Sequence, residues 1–356
     1  VMSIKKIEMI NFRNHEDIVF NFSPGINIIW GENGSGKTSI IEAVHILSNG
    51  KSFKTNRLVE TITTKKQETI IKAGFGDKEI VFHQTTKPSK KIKINKIEKT
   101  TKDLVGQNPT VLISPEEEKI TKGPHSERRK FFDRVFSNTS KNYFKNLINY
   151  SSVLKNRNTL LKNKKSRKEV EIWDEPLVKY GCMLWEKKIL LQSKFKDSIK
   201  NVCKNYNKSV DVMVDYEHPS NPSTEWFYEN LREKNDKEFL LGRTLTGPHL
   251  DKHTPYFNSK NLKMFGSQGE HKLAFVVIKI AEHYFIEKET GKKPTLLLDD
   301  LFSKLDLERG NAIFDLIKTS GQAFITNTDL VTAEQHGIDT KDTNNKTIHL
   351  VRNWKN

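Results

Sequence analysis

Eight consecutive residues constrain this chain more than any others: Gly31-Glu32-Asn33-Gly34-Ser35-Gly36-Lys37-Thr38. They fit G-x-x-x-x-G-K-[ST], a loop that wraps a chain of phosphates. Ile26, Ile28 and Ile29 just upstream read as a short buried strand. Ile40, Ile41, Val44 and Leu47 just downstream recur at helical spacing. Strand, glycine loop and helix is the order that phosphate binding needs. Glycine lets the backbone curve around an anion with no Cβ in the way. The helix that follows turns its free N–H groups and positive dipole end toward the same anion. Lys37 is expected to reach the β- and γ-phosphates, and Thr38 Oγ to sit on Mg²⁺.

Before the loop, residues 4–10 and 18–22 alternate apolar and polar side chains as strands do. Between them lies a polar turn, Asn11-Phe12-Arg13-Asn14-His15, whose His15 either touches a nucleotide or, as is commoner for such a residue, sits on the surface. After the first helix, residues 69–75, 79–84 and 90–97 read as a strand meander. In the last of these Ile92 and Ile94 alternate with Lys91 and Lys93. The lysines either guard a sheet edge or offer a surface to phosphates. Val111-Leu112-Ile113 reads as another buried strand. Ser114-Pro115-Glu116-Glu117 is expected to open a helix, with Ser114 as the cap and Glu117 closing a capping box.

From residue 115 to 238 apolar side chains recur every three or four positions, the signature of a helical lobe inserted into the chain. Within it Lys155, Arg157, Lys162, Lys164, Lys165, Arg167 and Lys168 follow one another with no acid between them. Such a run is either a solvated hairpin tip or a contact for nucleic acid. The mixed α/β pattern then returns. Gly266-Ser267-Gln268-Gly269 precedes a helix marked by Leu273, Val277, Ile280, Ala281 and Tyr284, and so offers a second anion site at a helix start. Thr295-Leu296-Leu297-Leu298-Asp299-Asp300 is an apolar strand ending in two acids, the edge at which ligands of open α/β sheets bind. Asp299 is the expected Mg²⁺ ligand, through water. Asp300 is placed to orient or deprotonate an attacking water. Ser303-Lys304-Leu305-Asp306 follows, and 323–326 reads as one more strand.

The chain has 356 residues and a formal net charge of +16, an excess that draws a protein to polyanions. Its two cysteines, Cys182 and Cys203, form neither a ligand cluster nor a disulfide framework, as expected in a reducing cytoplasm. Residues 3–11 carry no apolar core of a secretion signal, and no apolar run reaches membrane-spanning length.

The phosphate loop and the acidic strand lie over 250 residues apart, with a glycine-serine element shortly before the second. That order resembles the ABC-type ATPases, in their soluble SMC-like branch. Within the branch the chain resembles the RecF family of bacterial recombination mediators. The resemblance rests on Gly31 to Thr38, Lys51-Ser52-Phe53-Lys54-Thr55, Ser114-Pro115-Glu116, Gly123 with Arg128-Arg129-Lys130-Phe131-Phe132-Asp133, and Leu154-Lys155-Asn156-Arg157-Asn158. It continues through Leu160-Leu161-Lys162, Gly247-Pro248-His249, Gly266-Ser267-Gln268-Gly269, Leu297 to Asp306, and Ile325-Thr326. The chain departs from the family pattern at Glu270-His271-Lys272, where Gln-Gln-Arg is usual, and at Leu250, where arginine is. Asn327 or Thr328 stands where transporter ATPases carry a switch histidine.

The resemblance implies an α/β ABC-type P-loop ATPase head with an N-terminal β subdomain, interrupted by an inserted helical lobe. The head would comprise 1–114 and 239–356, and the lobe 115–238. It implies ATP and Mg²⁺ as cofactors and slow hydrolysis. It also implies an ATP-dependent homodimer in which Ser267, Gln268 and Gly269 reach the ATP held by the other copy, with Asp306 among the nucleotide contacts. DNA is the implied ligand, as duplex or at a single/double-strand junction. The implied setting is DNA repair, replication and the SOS response, with RecR and RecO helping to load a recombinase at single-strand gaps. A different class remains open, an SMC-like regulatory ATPase whose primary ligand is not DNA. Against a processive helicase or nuclease stand the lack of a second nucleotide core and of a histidine–acid metal cluster.

Overall fold

The computed structural model describes residues 3–87, 89–206, 209–300, 314, 318, 320–335 and 337–351. The chain divides into two compact units. One comprises Val1–Glu118, Lys204–Lys208 and Val276–Asn356, and the other Lys119–Cys203 and Ser209–Phe275.

The first unit contains two sheets. The larger is antiparallel, in the order β2-β1-β4-β5-β6-β7. Its strands are β1 (Ile4–Phe12), β2 (His15–Asn21), β4 (Glu68–Phe75), β5 (Lys78–Thr85), β6 (Lys90–Ile94) and β7 (Ile97–Lys99). Burial alternates along them with the two-residue period of a pleat: Thr69, Ile71, Ala73 and Phe75 point inward from β4. The outer face mixes charges, with Lys72 paired to Glu79 and His83 to Glu68. Lys91 and Lys93 lie exposed on this face, opposite His83 and Val81, and Glu98 lies opposite Lys93.

The second sheet is parallel throughout, in the order β14-β3-β13-β12-β8. Its strands are β3 (Ile26–Trp30), β8 (Thr110–Ile113), β12 (Thr295–Asp299), β13 (Ala323–Asn327) and β14 (Lys346–His349). β8, β12 and β13 are buried at every residue, and β3 at every residue but Trp30, as expected of strands covered on both faces. Helix α1 (Lys37–Asn49) ties the two sheets together. Its Ile40, Ile41, Val44 and Leu47 share one apolar core with Ile7, Met9, Ile71 and Phe82 of the first sheet and Ile29, Leu297 and Phe324 of the second. A short helix, α2 (Thr101–Leu104), closes a capping box between Thr100 and Asp103.

The expected helix start at Ser114 does not form. Pro115–Glu118 is a 3₁₀ turn, and the buried Ser114 Oγ has no hydrogen-bond partner among the described residues. The turn is closed by the main chain, where Glu117 N–H donates to Ser114 O.

The second unit opens with α3 (Lys119–Lys122). Helices α4 (His125–Thr139), α5 (Lys141–Lys162), α6 (Arg167–Glu171), α7 (Asp174–Tyr206, within this unit to Cys203) and α8 (Thr224–Leu241) follow. Serines cap three of them. Ser140 accepts from Tyr143 N–H, Ser223 from Trp226 N–H, and Ser166 forms a capping box with Glu169. The unit extends past residue 238 because a small sheet, in the order β11-β10-β9, folds with the helices. β9 is Val212–Glu217, β10 Lys252–Phe257 and β11 Lys260–Asn261. The short α9 (Leu262–Phe265) precedes α10 (Gln268–Thr290), which passes into the first unit at Val276.

Two buried polar networks brace this lobe. Lys188 lies between Asp133 and Asp251, while Trp185 and Tyr216 donate to Asp251. Tyr150 OH lies 2.7 Å from His249 Nδ1, and the Arg157 guanidinium binds Asp174, Glu238 and Thr244. Removing one partner of such a buried pair strands the other, which is what makes these networks stiff.

Candidate functional site

The phosphate loop leaves β3 at Gly31 and enters α1 at Lys37. Gly36 caps the helix in the left-handed region at φ 97°, and a Cβ there would lie 2.5 Å from His15 Nε2. Gly31 has φ 146°, and a Cβ there would meet Leu350 O at 2.1 Å. These two positions therefore require glycine on steric grounds before any ligand is considered. Glu32, Asn33 and Gly34 are exposed on the loop crest, whereas Ser35 is buried.

The Lys37 ammonium donates to Gly31 O at 2.5 Å and Glu32 O at 2.9 Å, curling over the loop that it follows. Burial lowers its pKa, while Asp300 and then Asp299 pull it back up. Thr38 Oγ1 donates to Asp299 Oδ1 at 3.0 Å, bringing together residues 261 positions apart. Thr326 Oγ1, at the end of β13, donates to the same oxygen at 2.8 Å and accepts from Asp300 N–H at 3.0 Å. The parallel register makes this possible, since Asp299 pairs with Thr326 and Thr326 with Ile29. Burial raises the Asp299 carboxyl, opposed by the hydrogen bonds from Thr326 and Thr38 and by the charge of Lys54. Asp300 takes φ 52°, an uncommon conformation that aspartate tolerates better than most residues.

Mg²⁺ is a hard cation that takes one or two protein oxygens and completes its shell with phosphates and water. Thr38 Oγ1 and the buried Asp299 carboxylate at the carboxyl edge of the sheet fit that demand. Among the described residues no group of three or more His, Cys, Asp or Glu could hold a metal by itself.

The turn before the loop contributes more than its sequence suggested. His15 is buried, not on the surface, with Nε2 3.2 Å from Gly36 O, and burial lowers its pKa. Asn14 Oδ1 accepts from Ser39 Oγ at 3.2 Å. Arg13 pairs with Glu42 inside α1, and Ser52 Oγ donates to the same carboxylate at 2.5 Å. The basic stretch from Lys51 is thus fixed to the loop's helix. In the sequence Thr326 stands out only within the family pair Ile325-Thr326, and His15 only within the polar turn, neither with a role attached.

Asn327 pairs in register with Trp30, the residue before the loop. Its side-chain amide is buried with no hydrogen-bond partner among the described residues. Asp306 lies outside the described residues. Ser267, Gln268 and Gly269 are exposed where α10 begins, and belong to the second unit. There Ser267 N–H donates to Glu270 Oε2 at 2.7 Å, and Glu270 N–H to Ser267 Oγ at 3.2 Å. Hydrogen bonds from the Ser267 main chain and then the Ser267 side chain hold the Glu270 carboxyl below its usual range. The residue that departs from the family pattern thus closes a capping box.

The basic run of the lobe divides. Lys155, Lys162, Lys164 and Lys165 are exposed. Arg157 is not a surface residue: at 2% exposure its guanidinium is committed to Asp174 at 2.8 Å and Glu238 at 2.7 Å. Every third or fourth residue of a helix shares a face, so one member of a charged run on α5 turns into the lobe.

The chain is similar to known proteins over nearly its whole length. Residues 3–348 match the RecF/RecN/SMC N terminal domain. The chain is 35% identical over 349 residues to the DNA replication and repair protein RecF of Clostridium novyi, covering 94% of this chain and 95% of that protein. It is also 35% identical over 344 residues to the protein of the same name from Alkaliphilus oremlandii, covering 92% and 93%. A solved structure of the recombination mediator protein RecF with ATP, in the RecFOR pathway, superposes with a TM-score of 0.84 at 31% identity over 92% of each chain. An SMC head structure shares the fold at a TM-score of 0.57 and 14% identity, covering 93% of this chain and 91% of that one.

Proposed function

Because the chain belongs to the RecF family, we propose that it is an ATP-driven DNA-binding protein of recombinational repair and replication. It hydrolyses ATP slowly, as a switch. The observation that carries this is the 3.0 Å hydrogen bond between Thr38 and Asp299, which joins the phosphate loop to the acidic strand end. Lys37 exchanges its two carbonyl partners for the β- and γ-phosphates, and the free N–H groups at the start of α1 face the same oxygens. Thr38 Oγ and Asp299 would hold Mg²⁺, which would supply neutralisation of phosphate charge. Asp300, its amide fixed by Thr326, orients the attacking water and takes its proton. The water oxygen bonds to the γ-phosphorus as the bond to the bridging oxygen breaks, and ADP leaves. Asn327 senses the terminal phosphate.

ATP also assembles the protein. Ser267, Gln268 and Gly269 of one copy serve the ATP held by a second, so nucleotide binding and dimerisation strengthen each other. Two ATP molecules then lie between two heads, and hydrolysis releases the clamp from DNA. RecR and RecO are its partners, a reading supported by the pathway named for the structural relative. The cytoplasm is where these partners and DNA meet; among the described residues no helix is long and apolar enough to cross a membrane.

DNA binding measured with and without ATP across a salt series tests the proposal. Affinity is expected to rise with ATP and to fall steeply with salt as phosphate contacts release counterions. ATP-dependent assembly without any DNA affinity would instead identify a regulatory ATPase with another ligand.

A further inference from the structure

The tip of the helical lobe combines two features that the chain holds far apart in sequence. At the end of α5 and in the turn beyond it, Lys162, Lys164 and Lys165 are exposed, and Lys168 lies exposed on α6. The last turn of α8 packs against the same place. The α-carbon of Lys162 lies 3.4 Å from where a Gly242 Cβ would sit. Arg167 reaches Asp236 at 2.5 Å and lies over the Phe239 ring at 5.5 Å. Lys237 and Arg243, both exposed, therefore join the cationic rim. Beside them Leu240 is 84% exposed and Leu241 54% exposed.

Single exposed leucines are ordinary. Two adjacent ones inside a cationic rim are a different surface, since water solvates the lysines and gains nothing from the leucines. The tip is also stiff. Arg157 bonds Asp174 and Glu238, and Asn158 Oδ1 accepts from Thr244 N–H, so α5, the start of α7 and the end of α8 are held as one piece. Asp236 and Glu169 pair with Arg167 and Lys165 in this rim, which still carries cations in excess, and a rigid apolar point there fits a polyanion whose apolar interior can be reached. Duplex DNA offers that interior only where a base step opens, and apolar side chains used as wedges open such steps. The cost of opening is least where a neighbouring base is already missing or unstacked.

We propose that Leu240 and Leu241 form a wedge that inserts at an opened base step, so that the lobe tip selects DNA at the edge of a gap over continuous duplex. The lysines around it hold the backbone without regard to sequence. This rests on the DNA-binding reading given above. A membrane surface is the less suitable occupant, because interfacial binding uses a broad amphipathic face and the tip offers only two apolar side chains.

The test compares gapped and intact duplexes of one sequence, in ATP, for the wild type and for a Leu240→Ser, Leu241→Ser variant. A 2-aminopurine base at the gap edge reports unstacking. The wild type is expected to favour the gap and raise the fluorescence. The variant is expected to lose at least about fivefold in gap-over-duplex preference and the fluorescence rise. It keeps its salt dependence and, since both side chains are exposed, its melting temperature. A variant that retains preference and fluorescence overturns the wedge alone. Loss of binding to phosphatidylserine vesicles with DNA binding unchanged overturns it in favour of a membrane contact. A wild type with no salt-dependent DNA binding at all overturns the DNA-binding reading together with the wedge.

Discussion

The nucleotide site and the lobe tip both gather cations, yet they are built in opposite ways. Around the loop, Lys37 turns to carbonyls five and six residues before it, and the glycines that permit this lie within the same eight residues. At the tip, position depends on a buried Arg157 that reaches acids 17 and 81 residues away. The first arrangement is a local motif whose geometry travels with its sequence. The second is a surface whose exposed part has meaning only because an unexposed part fixes it. A cation's role is therefore set by where its neighbours come from and not by the run it belongs to.

The sharpest way to isolate the nucleotide site is Asp300→Asn. Turnover should fall by roughly 10²–10⁴-fold, the range for a lost general base, while ATP binding persists. Single-turnover hydrolysis beside equilibrium nucleotide binding measures both, and unchanged turnover would remove Asp300 from the chemistry. Next in size is Arg157→Ala, which leaves the buried Glu238 and Asp174 without their cation. Urea unfolding should show a loss of about 3–5 kcal/mol with nucleotide affinity intact, and Lys155→Ala next to none. Equal effects of the two substitutions would abolish the contrast between inward and outward cations.

A smaller effect separates the lobe by pH. Burial pushes His249 down to about 4 from its ordinary 6.5, so the unfolded chain takes up a proton first as pH falls. Its contribution is complete above 6.5 and is lost toward 4. Between pH 7 and pH 5 the wild type should lose about 2 kcal/mol more than His249→Gln does, measured by urea unfolding at each pH. Parallel curves would mean that His249 stays neutral in both states. The smallest effect is at the start of α10, where the Glu270 carboxylate sits on the Ser267 N–H that a phosphate would use. Glu270→Gln keeps the capping geometry without the charge. Sedimentation in ATP should show dimerisation strengthened by roughly two- to fivefold, the scale of one charge at an exposed helix end. Weaker dimerisation would show that the carboxylate assists assembly.

The same contrast governs what could be read in advance. The loop, its strand and its helix were legible because eight contiguous residues state a backbone path. Asp299 and Asp300 were legible because an apolar strand ending in acids states an edge. The domain boundary at 238 was not, since β10 and β11 have to find β9, and sequence order does not say which sheet a late strand joins. Ser114 combined every local preference for a cap, but residues 115–118 take a 3₁₀ turn closed by main-chain bonds. Arg157 was misplaced because charge along a helix reveals composition while burial depends on which face the neighbouring helices cover.

One feature of the parallel sheet also bears on how the molecule comes to exist. β3, which launches the phosphate loop, begins at Ile26, but its two sheet neighbours begin at Ala323 and Lys346. A chain emerging from the ribosome thus carries the strand that launches the phosphate loop through the synthesis of residues 31–322 without either flanking strand. Pairings so distant in sequence form late, and an unpaired apolar strand is prone to aggregate meanwhile. A chain stopped before Ala323 therefore lacks both strands that flank the strand launching the phosphate loop.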